Sequence, residues 1–336
     1  MARVLTVILN WQSAEMTLQA AEAALRALQG LDAALVIVDN DSGDGSFEAM
    51  SRAVVARGWD RGPHAVRVLQ SGRNGGFGAG NNTGIRAGMP DGSPPDYVYI
   101  LNPDAFPAPD AIAALMVHLE THPATGFAGS YIHGPDGQPH RTAFRFPSIA
   151  GDFEATARFG PVSRLLRRFI VAQPIPVETG RVDWLAGASL MMRQRVLDQI
   201  GLFDERFFLY FEETELCHRA ARAGWATDYV LESQVSHIGG ASTGSKTWAR
   251  IPQFWLDSRL HYFVVTGGRG QAVAATLAHI AGSLLWRARL MVHSKDRGDP
   301  PRYLRDLIAH AGRAAVAGLN TKRAAALTRP AEAGKE

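Results

Sequence analysis

Five short stretches carry residue types suited to chemistry, and most sit where an apolar run stops. Tyr97 to Ala105 reads YVYILNPDA. It begins as a strand buried on both faces and is cut off at Asn102-Pro103-Asp104, because proline cannot donate to the ladder and restricts the residue before it. Asp104 is therefore expected at the carboxyl end of a central strand, beside the amide of Asn102, and in an open α/β sheet the crevice outside the strand carboxyl ends binds ligands. An isolated Asn-Pro-Asp also serves as a turn or a helix cap. Val36 to Ser46, VIVDNDSGDGS, repeats the pattern: a strand ends in Asp39-Asn40 and a turn opens a helix at Ser46. Asp39 at such a strand end suits the N–H of a base or the hydroxyls of a ribose. Turn and cap chemistry accounts for Asp44 and Ser46, and only in part for Asp39.

Ser71 to Gly88, SGRNGGFGAGNNTGIRAG, places many glycines beside Asn81 and Asn82. That composition implies a backbone passing close to a ligand, as a glycine loop followed by a short helix. No G-x-G-x-x-G occurs there or in the first βα turn, which reads LNWQSAEMT, and this disfavours a nicotinamide-binding domain. In Glu205 to Trp225, ERFFLYFEETELCHRAARAGW, Glu213, Leu216, Cys217 and Ala220 share one helical stripe, whereas Glu212, Glu215 and Arg219 share another. Glu213 thus begins the buried face, where an unpaired acid is costly, and the helix dipole there favours the ionised form that a general base needs. Acids also simply favour helix starts, which is enough for Glu212 and Glu215. In Ser236 to Gly244, SHIGGASTG, His237 ends another apolar run. A lone histidine at a strand end is often structural, but with Asp104 and two phosphates it suits a divalent metal.

The elements that must position these groups follow the usual signals. Strand-like runs at Val4–Asn10, Ala34–Asn40, Ala65–Ser71 and Tyr97–Asn102 alternate with helical ones at about 13–28 and 46–57. A further helix follows, in which Ile112, Leu115, Met116 and Leu119 fall at i, i+3, i+4 and i+7. This predicts an α/β fold with a doubly wound, mostly parallel sheet. Residues from about 133 to 178, rich in Gly, Pro and Arg, read as a loop-rich insertion over the cleft. Regular structure resumes from Trp184 to about Gly240, and the chain from about Pro252 is helical. The expected division is a catalytic domain over 1–250 and a basic helical extension over 251–336 whose end, TRPAEAGKE, is disordered.

The 336 residues hold 46% hydrophobic and 20% charged residues, ordinary for a soluble protein with a sizeable core. The 35 basic and 32 acidic residues leave a net charge of +3, too balanced to indicate nucleic acid as a partner. One cysteine, Cys217, excludes an intrachain disulfide and points to a reducing, cytoplasmic compartment. No run reaches the roughly 18 apolar residues of a membrane span. Gln271 to Trp286, followed by Arg287, Arg289 and Lys295, reads either as a helix lying on an anionic membrane surface or as one packed on the main domain.

Taken together, VILNW, VDNDSGDGS, NGGFGAGNNTGI, LNPDA, DWLAGASLMMRQ, FDERFFLYFEETELCHR and SHIGGAS resemble the inverting family 2 glycosyltransferases of the GT-A fold, and in particular bacterial rhamnosyltransferases. The resemblance runs from about Val4 to Gly244. It implies that a nucleotide-diphospho-sugar donor, such as dTDP-rhamnose, gives its sugar to a cell-surface or lipid-linked glycan. Asn10, Asp39 and Asn40 would lie at the nucleoside, and Gly76, Phe77, Gly78, Asn81, Asn82, Asn102 and Asp104 would line the donor. Asp104 and His237 would hold Mg²⁺ or Mn²⁺, Trp184, Gly187 and Glu212 would lie on the sugar and acceptor side, and Glu213 would be the base. The chain departs in two places: its base is Glu where Asp is usual, and the metal motif keeps one carboxylate. A catalytically inactive relative that binds or scaffolds is the alternative these departures leave open.

Overall fold

The structure, a computed structural model, describes residues 2–239, 248–291 and 299–327. The SHIGGASTG stretch beyond Gly239, Lys295 and the expected disordered end from Thr328 lie outside the described residues. The strands are β1 (Arg3–Asn10), β2 (Asp32–Asp39), β3 (Val66–Gln70), β4 (Tyr97–Leu101), β5 (Ala105–Pro107), β6 (Thr125–His133), β7 (Ala143–Phe144), β8 (Gly180–Val182), β9 (Trp184–Leu185), β10 (Ser189–Arg193) and β11 (Ala226–His237). The helices are α1 (Ala14–Ala27), α2 (Ser46–Ala56), α3 (Gly76–Arg86), α4 (Ala111–Thr121), α5 (Ile149–Ala157), α6 (Gly160–Leu165), α7 (Gln194–Ile200), α8 (Glu212–Arg222), α9 (Gln253–Leu290) and α10 (Tyr303–Leu327).

Among the described residues nine strands form one sheet, ordered β3-β2-β1-β4-β10-β6-β11-β5, with β8 on β11. The first four run parallel, β10 is antiparallel to both β4 and β6, and β11 returns parallel to β6. Side chains on a strand alternate between faces, so the apolar runs feed two cores. Val4, Ile8, Leu35, Ile37, Tyr97 and Tyr99 pack with α1, α2 and α4. Leu5, Val7, Val36, Val38, Val98 and Ile100 pack with Ile85 of α3, Val196 of α7 and Leu216 and Cys217 of α8. That double burial is why these strands read as continuous apolar runs rather than alternating ones.

Two expectations change. The Gly-rich stretch is a loop only over 71–75, and the helix that follows it, α3, starts at Gly76 and takes in most of the glycines. A methyl group on Gly84 would stand 3.1 Å from Val38, and one on Gly80 would collide with Leu9, so these glycines let the helix lie directly on the sheet. Residues 133–178, of which His140 lies 6.2 Å ring to ring from His237, are more regular than expected. They carry β7, α5 and α6, and α5 packs along α9, where Gly282 leaves no room for a side chain against Phe153 and Thr156.

The helix α9 breaks at Gly268, whose φ of 79° is open only to glycine at no cost. Its second half buries Ala272, Ala275, Thr276, His279, Gly282 and Trp286 and leaves Val273, Leu277 and Leu284 exposed. The reading of Gln271 to Trp286 as a helix packed on the main domain describes its buried face. No helix among the described residues is long and apolar enough to cross a membrane.

Candidate active site

A cleft of about 510 Å³ opens at the carboxyl ends of β1, β2, β4 and β11. Its polar wall holds Asn40, Asn74, Asn102, Asp104 and His237, and its aromatic wall holds Trp11, Phe77, Phe208, Tyr210, Trp248 and Phe254. Asp104 is 3% exposed. It faces His237 Nε2 at 3.0 Å and accepts from the Gly239 amide at 3.2 Å. Burial pushes this carboxyl up, but the bonds and charge from His237 and the backbone amides outweigh it and hold the carboxyl below the usual aspartate range. Asn102 Oδ1, beside it, is buried with no hydrogen-bond partner, and so is Asn40 Oδ1. Among the described residues no group of three or more His, Cys, Asp or Glu side chains forms a metal cage.

Asp39 and Asn10 stand behind the cleft wall rather than in it. Asp39, 1% exposed, accepts from Asn10 Nδ2 at 2.7 Å, Ser42 Oγ at 2.6 Å and the Ser42 amide at 3.1 Å. Asn10 Oδ1 in turn accepts from Thr17 Oγ1 at 2.8 Å. This network fixes the turn that presents Asn40 to the cleft. Asn40 Nδ2 donates to Asn74 Oδ1 at 3.0 Å and to the Gly76 carbonyl at 3.2 Å.

Because α3 is helical from Gly76, the expected donor residues separate. Gly76 and Phe77 line the cleft. Gly78 instead packs under Phe203, and Asn82 exchanges hydrogen bonds with the Phe203 backbone at 2.9 and 3.1 Å. Asn81 Nδ2 is spent on the Phe77 carbonyl at 3.0 Å. Gly78 and Asn82 therefore tie α3 to the loop before α8, Asn81 bonds within α3, and none of the three lines the cleft.

The acids that open α8 also need correction. Glu212 and Glu215 do not lie on a solvated stripe: they are 2% and 5% exposed, while Glu213 is half-buried. The helix start is enclosed by α3 and by Gly187, so acids around the whole first turn lose water. Glu215 is paired with Arg219 at 2.7 Å. Among the described residues Glu212 and Glu213 have no such partner, and Oε2 of each is buried without a hydrogen bond. Burial raises the Glu213 carboxyl above its ordinary value, against the pull of the Glu213, Gly187 and Thr214 amides. Burial and then the charge on Glu213 raise Glu212 further. The two carboxyls therefore titrate as a pair that holds a proton to higher pH than an ordinary glutamate does.

Glu213 is not part of the cleft lining. It lies one ring away: a methyl group on Gly187 would stand 3.2 Å from the Phe77 ring and 3.9 Å from Glu213 Cβ. Trp184 lies further off, stacked on Phe144 at 4.3 Å with its Nε1 donating to the Arg145 carbonyl at 2.9 Å. Sequence reasoning missed Asn74, Trp248 and Phe254. Asn74 stood in the glycine-rich stretch, whereas nothing local marks Trp248 or Phe254.

A model of the glycosyltransferase-like family 2 matches residues 2–254. The N-acetylglucosaminyl-diphospho-decaprenol L-rhamnosyltransferase of Mycobacterium tuberculosis is 31% identical over 281 residues, covering 81% of this chain and 87% of that protein. The rhamnosyltransferase WbbL of Escherichia coli K12 is 26% identical over 164 residues, 48% of this chain and 60% of that one. In fold the chain is similar to the mannosyltransferase PcManGT of Pyrobaculum calidifontis, solved with GDP-Man and Mn²⁺. The TM-score is 0.55 at 16% identity, over 94% of this chain and 80% of that one. A strand-end cleft with a carboxylate and an imidazole, a carboxyl pair at a nearby helix start, and a family match over three quarters of the sequence agree: this chain is an enzyme belonging to the family 2 glycosyltransferases.

Proposed function

We propose that the chain is an inverting rhamnosyltransferase that moves rhamnose from dTDP-rhamnose to a hydroxyl of a lipid-linked or cell-surface glycan. The observation that carries the mechanism is the carboxyl pair at the start of α8, in which burial raises Glu213 towards the range useful to a general base. The rhamnosyl donor and the lipid-linked acceptor are drawn from the relatives' names.

In this reading the nucleotide-sugar lies across the strand ends. Asn40, Gly76, Asn102 and Asp104 line the part of the cleft it would occupy. Asp104, His237 and Asn102 supply the oxygen and nitrogen donors that a hard cation takes when substrate phosphates complete its shell. A bound Mg²⁺ or Mn²⁺ would offset the charge that builds on the departing diphosphate. The Glu213 carboxylate takes the proton from the acceptor hydroxyl as that oxygen attacks the anomeric carbon opposite the leaving group. A single displacement needs one base and no second carboxylate nucleophile of the glycosidase kind. Phe77 lines the cleft and Glu213 does not, so the reading requires the acceptor to reach Glu213 past the Phe77 side of the cleft.

Glu213→Gln tests the assignment. Transfer is expected to fall by about 10²–10⁴-fold, the usual worth of a general base. The thermal shift produced by dTDP-rhamnose should stay that of the wild type, because ligand that binds the native state alone raises the melting point. Unchanged turnover would remove the base.

We also propose that the extension touches membrane through the exposed ridge of Val273, Leu277 and Leu284, with Arg287 beyond it. Liposome flotation of the full chain on anionic vesicles should fall with Leu277→Ser and Leu284→Ser together; equal flotation would contradict it.

A further inference from the structure

The loop that delivers Glu212 and Glu213 is bent in a way its own residues do not favour. Tyr210 and Phe211 have φ values of 69° and 71°. Two successive bulky residues in the left-handed region persist only where surroundings over-determine them. One clamp comes from α3: the Phe77 amide donates to the Phe208 carbonyl at 2.9 Å, an approach so close that no side chain fits at Gly76.

The other clamp is the first half of α9, which lies outside the residues matched by the family model except at its first turn. Ser258, 1% exposed, donates through Oγ to the Leu209 carbonyl at 3.0 Å. Phe211 is held between Trp255 and Tyr262, with ring centres 5.9 and 5.5 Å away. Phe208 and Tyr210 lie against Phe254 at 5.6 and 6.4 Å, and His261 meets both the Phe207 ring at 4.6 Å and Asp204 at 2.8 Å. Every residue from Phe207 to Phe211 is thus touched by the stretch of α9 from Phe254 to Tyr262.

We infer that the start of α9 is a positioning element for catalysis, with Ser258 and Trp255 as positioning residues that hold the strained turn and so set where the Glu213 carboxylate stands. The inference rests on the reading of Glu213 as the base. Ser258 touches no cleft surface and acts through the loop.

The test is Ser258→Ala in the full chain, alone and combined with Glu213→Gln. Removing the hydroxyl lets the turn relax, and small misplacements of a reacting group cost about 10–100-fold in rate. The expected result is a fall of that size in kcat with the donor KM within about twofold of the wild type. Ser258→Thr, which keeps a hydroxyl, should recover most of the loss. In the Glu213→Gln background Ser258→Ala should add nothing further, because residues that act as a unit are not additive. Wild-type kcat in Ser258→Ala would overturn the inference, as would an undiminished further loss in the double variant. Should Ser258→Ala fail to fold, Trp255→Leu at a half-buried position gives the same pattern to look for. A fully active Glu213→Gln refutes the base alone, and a fully active Ser258→Ala refutes the positioning alone.

Discussion

Two carboxyl sites in this protein are both drawn out of water and are pushed in opposite directions. Asp104, at the end of β4, meets an imidazole and the amide of Gly239, and these outweigh burial so that the group stays ionised. Glu212 and Glu213, at the start of α8, meet backbone amides and no cation, so burial wins and both carboxyls are raised above the ordinary glutamate value. The difference lies in partners, not in depth. A permanently charged group suits holding a cation and phosphates; a group poised to exchange a proton suits taking one from an acceptor hydroxyl.

The comparison can be broken from either side. Asp104→Asn should have the larger effect, lowering affinity for the donor in the presence of Mn²⁺ by at least the roughly 10–100-fold seen on losing an outer-shell partner of a metal. Calorimetric titration with and without Mn²⁺ checks it, and a loss equal in both would deny Asp104 a role with the cation. Glu212→Gln should do something smaller and of opposite kind. Glu212 holds its proton more tightly folded than unfolded, so between the unfolded value and the raised folded one the native state loses stability as pH rises. Removing the carboxyl should therefore raise Tm at pH 8 by about 2–4 °C, with less gain at pH 4. Asp104 carries the reverse sign: its contribution is present above the unfolded aspartate pKa and is lost as pH falls through the depressed folded one. Thermal melts across that range separate the two.

Much of this was legible in local pattern. Apolar runs that end in Asn102-Pro103-Asp104 or Asp39-Asn40 announce strand ends, and strand ends are where an α/β cleft lies. What local pattern could not carry was the direction each side chain takes afterwards. Asp39 looked like a ligand group, yet its oxygens are used by Asn10 and Ser42. The stripes of α8 were drawn for a helix with one wet face, whereas α3 and Gly187 close in on its first turn. The glycines of α3 looked like a ligand-lining loop because close approach to a ligand and close approach to a sheet demand the same residue. Trp248 and Phe254 reach the cleft from a part of the chain with no motif at all.

The smallest expected effect marks the boundary of the site. Val273→Ser on the exposed ridge of α9 should leave kcat with a soluble acceptor unchanged within about twofold, as surface positions usually do. A larger loss would mean that the second half of α9 belongs to the catalytic unit.

The pH dependence of kcat at saturating donor and acceptor tests the central contrast most directly. A base that must lose its proton gives a rate that rises with pH, and the midpoint reports the group in the complex. The midpoint is expected above the ordinary glutamate value of 4.5, with no such rise in the residual activity of Glu213→Gln. A midpoint at or below that value, or an unchanged profile in the variant, would contradict the assignment of the proton to the start of α8.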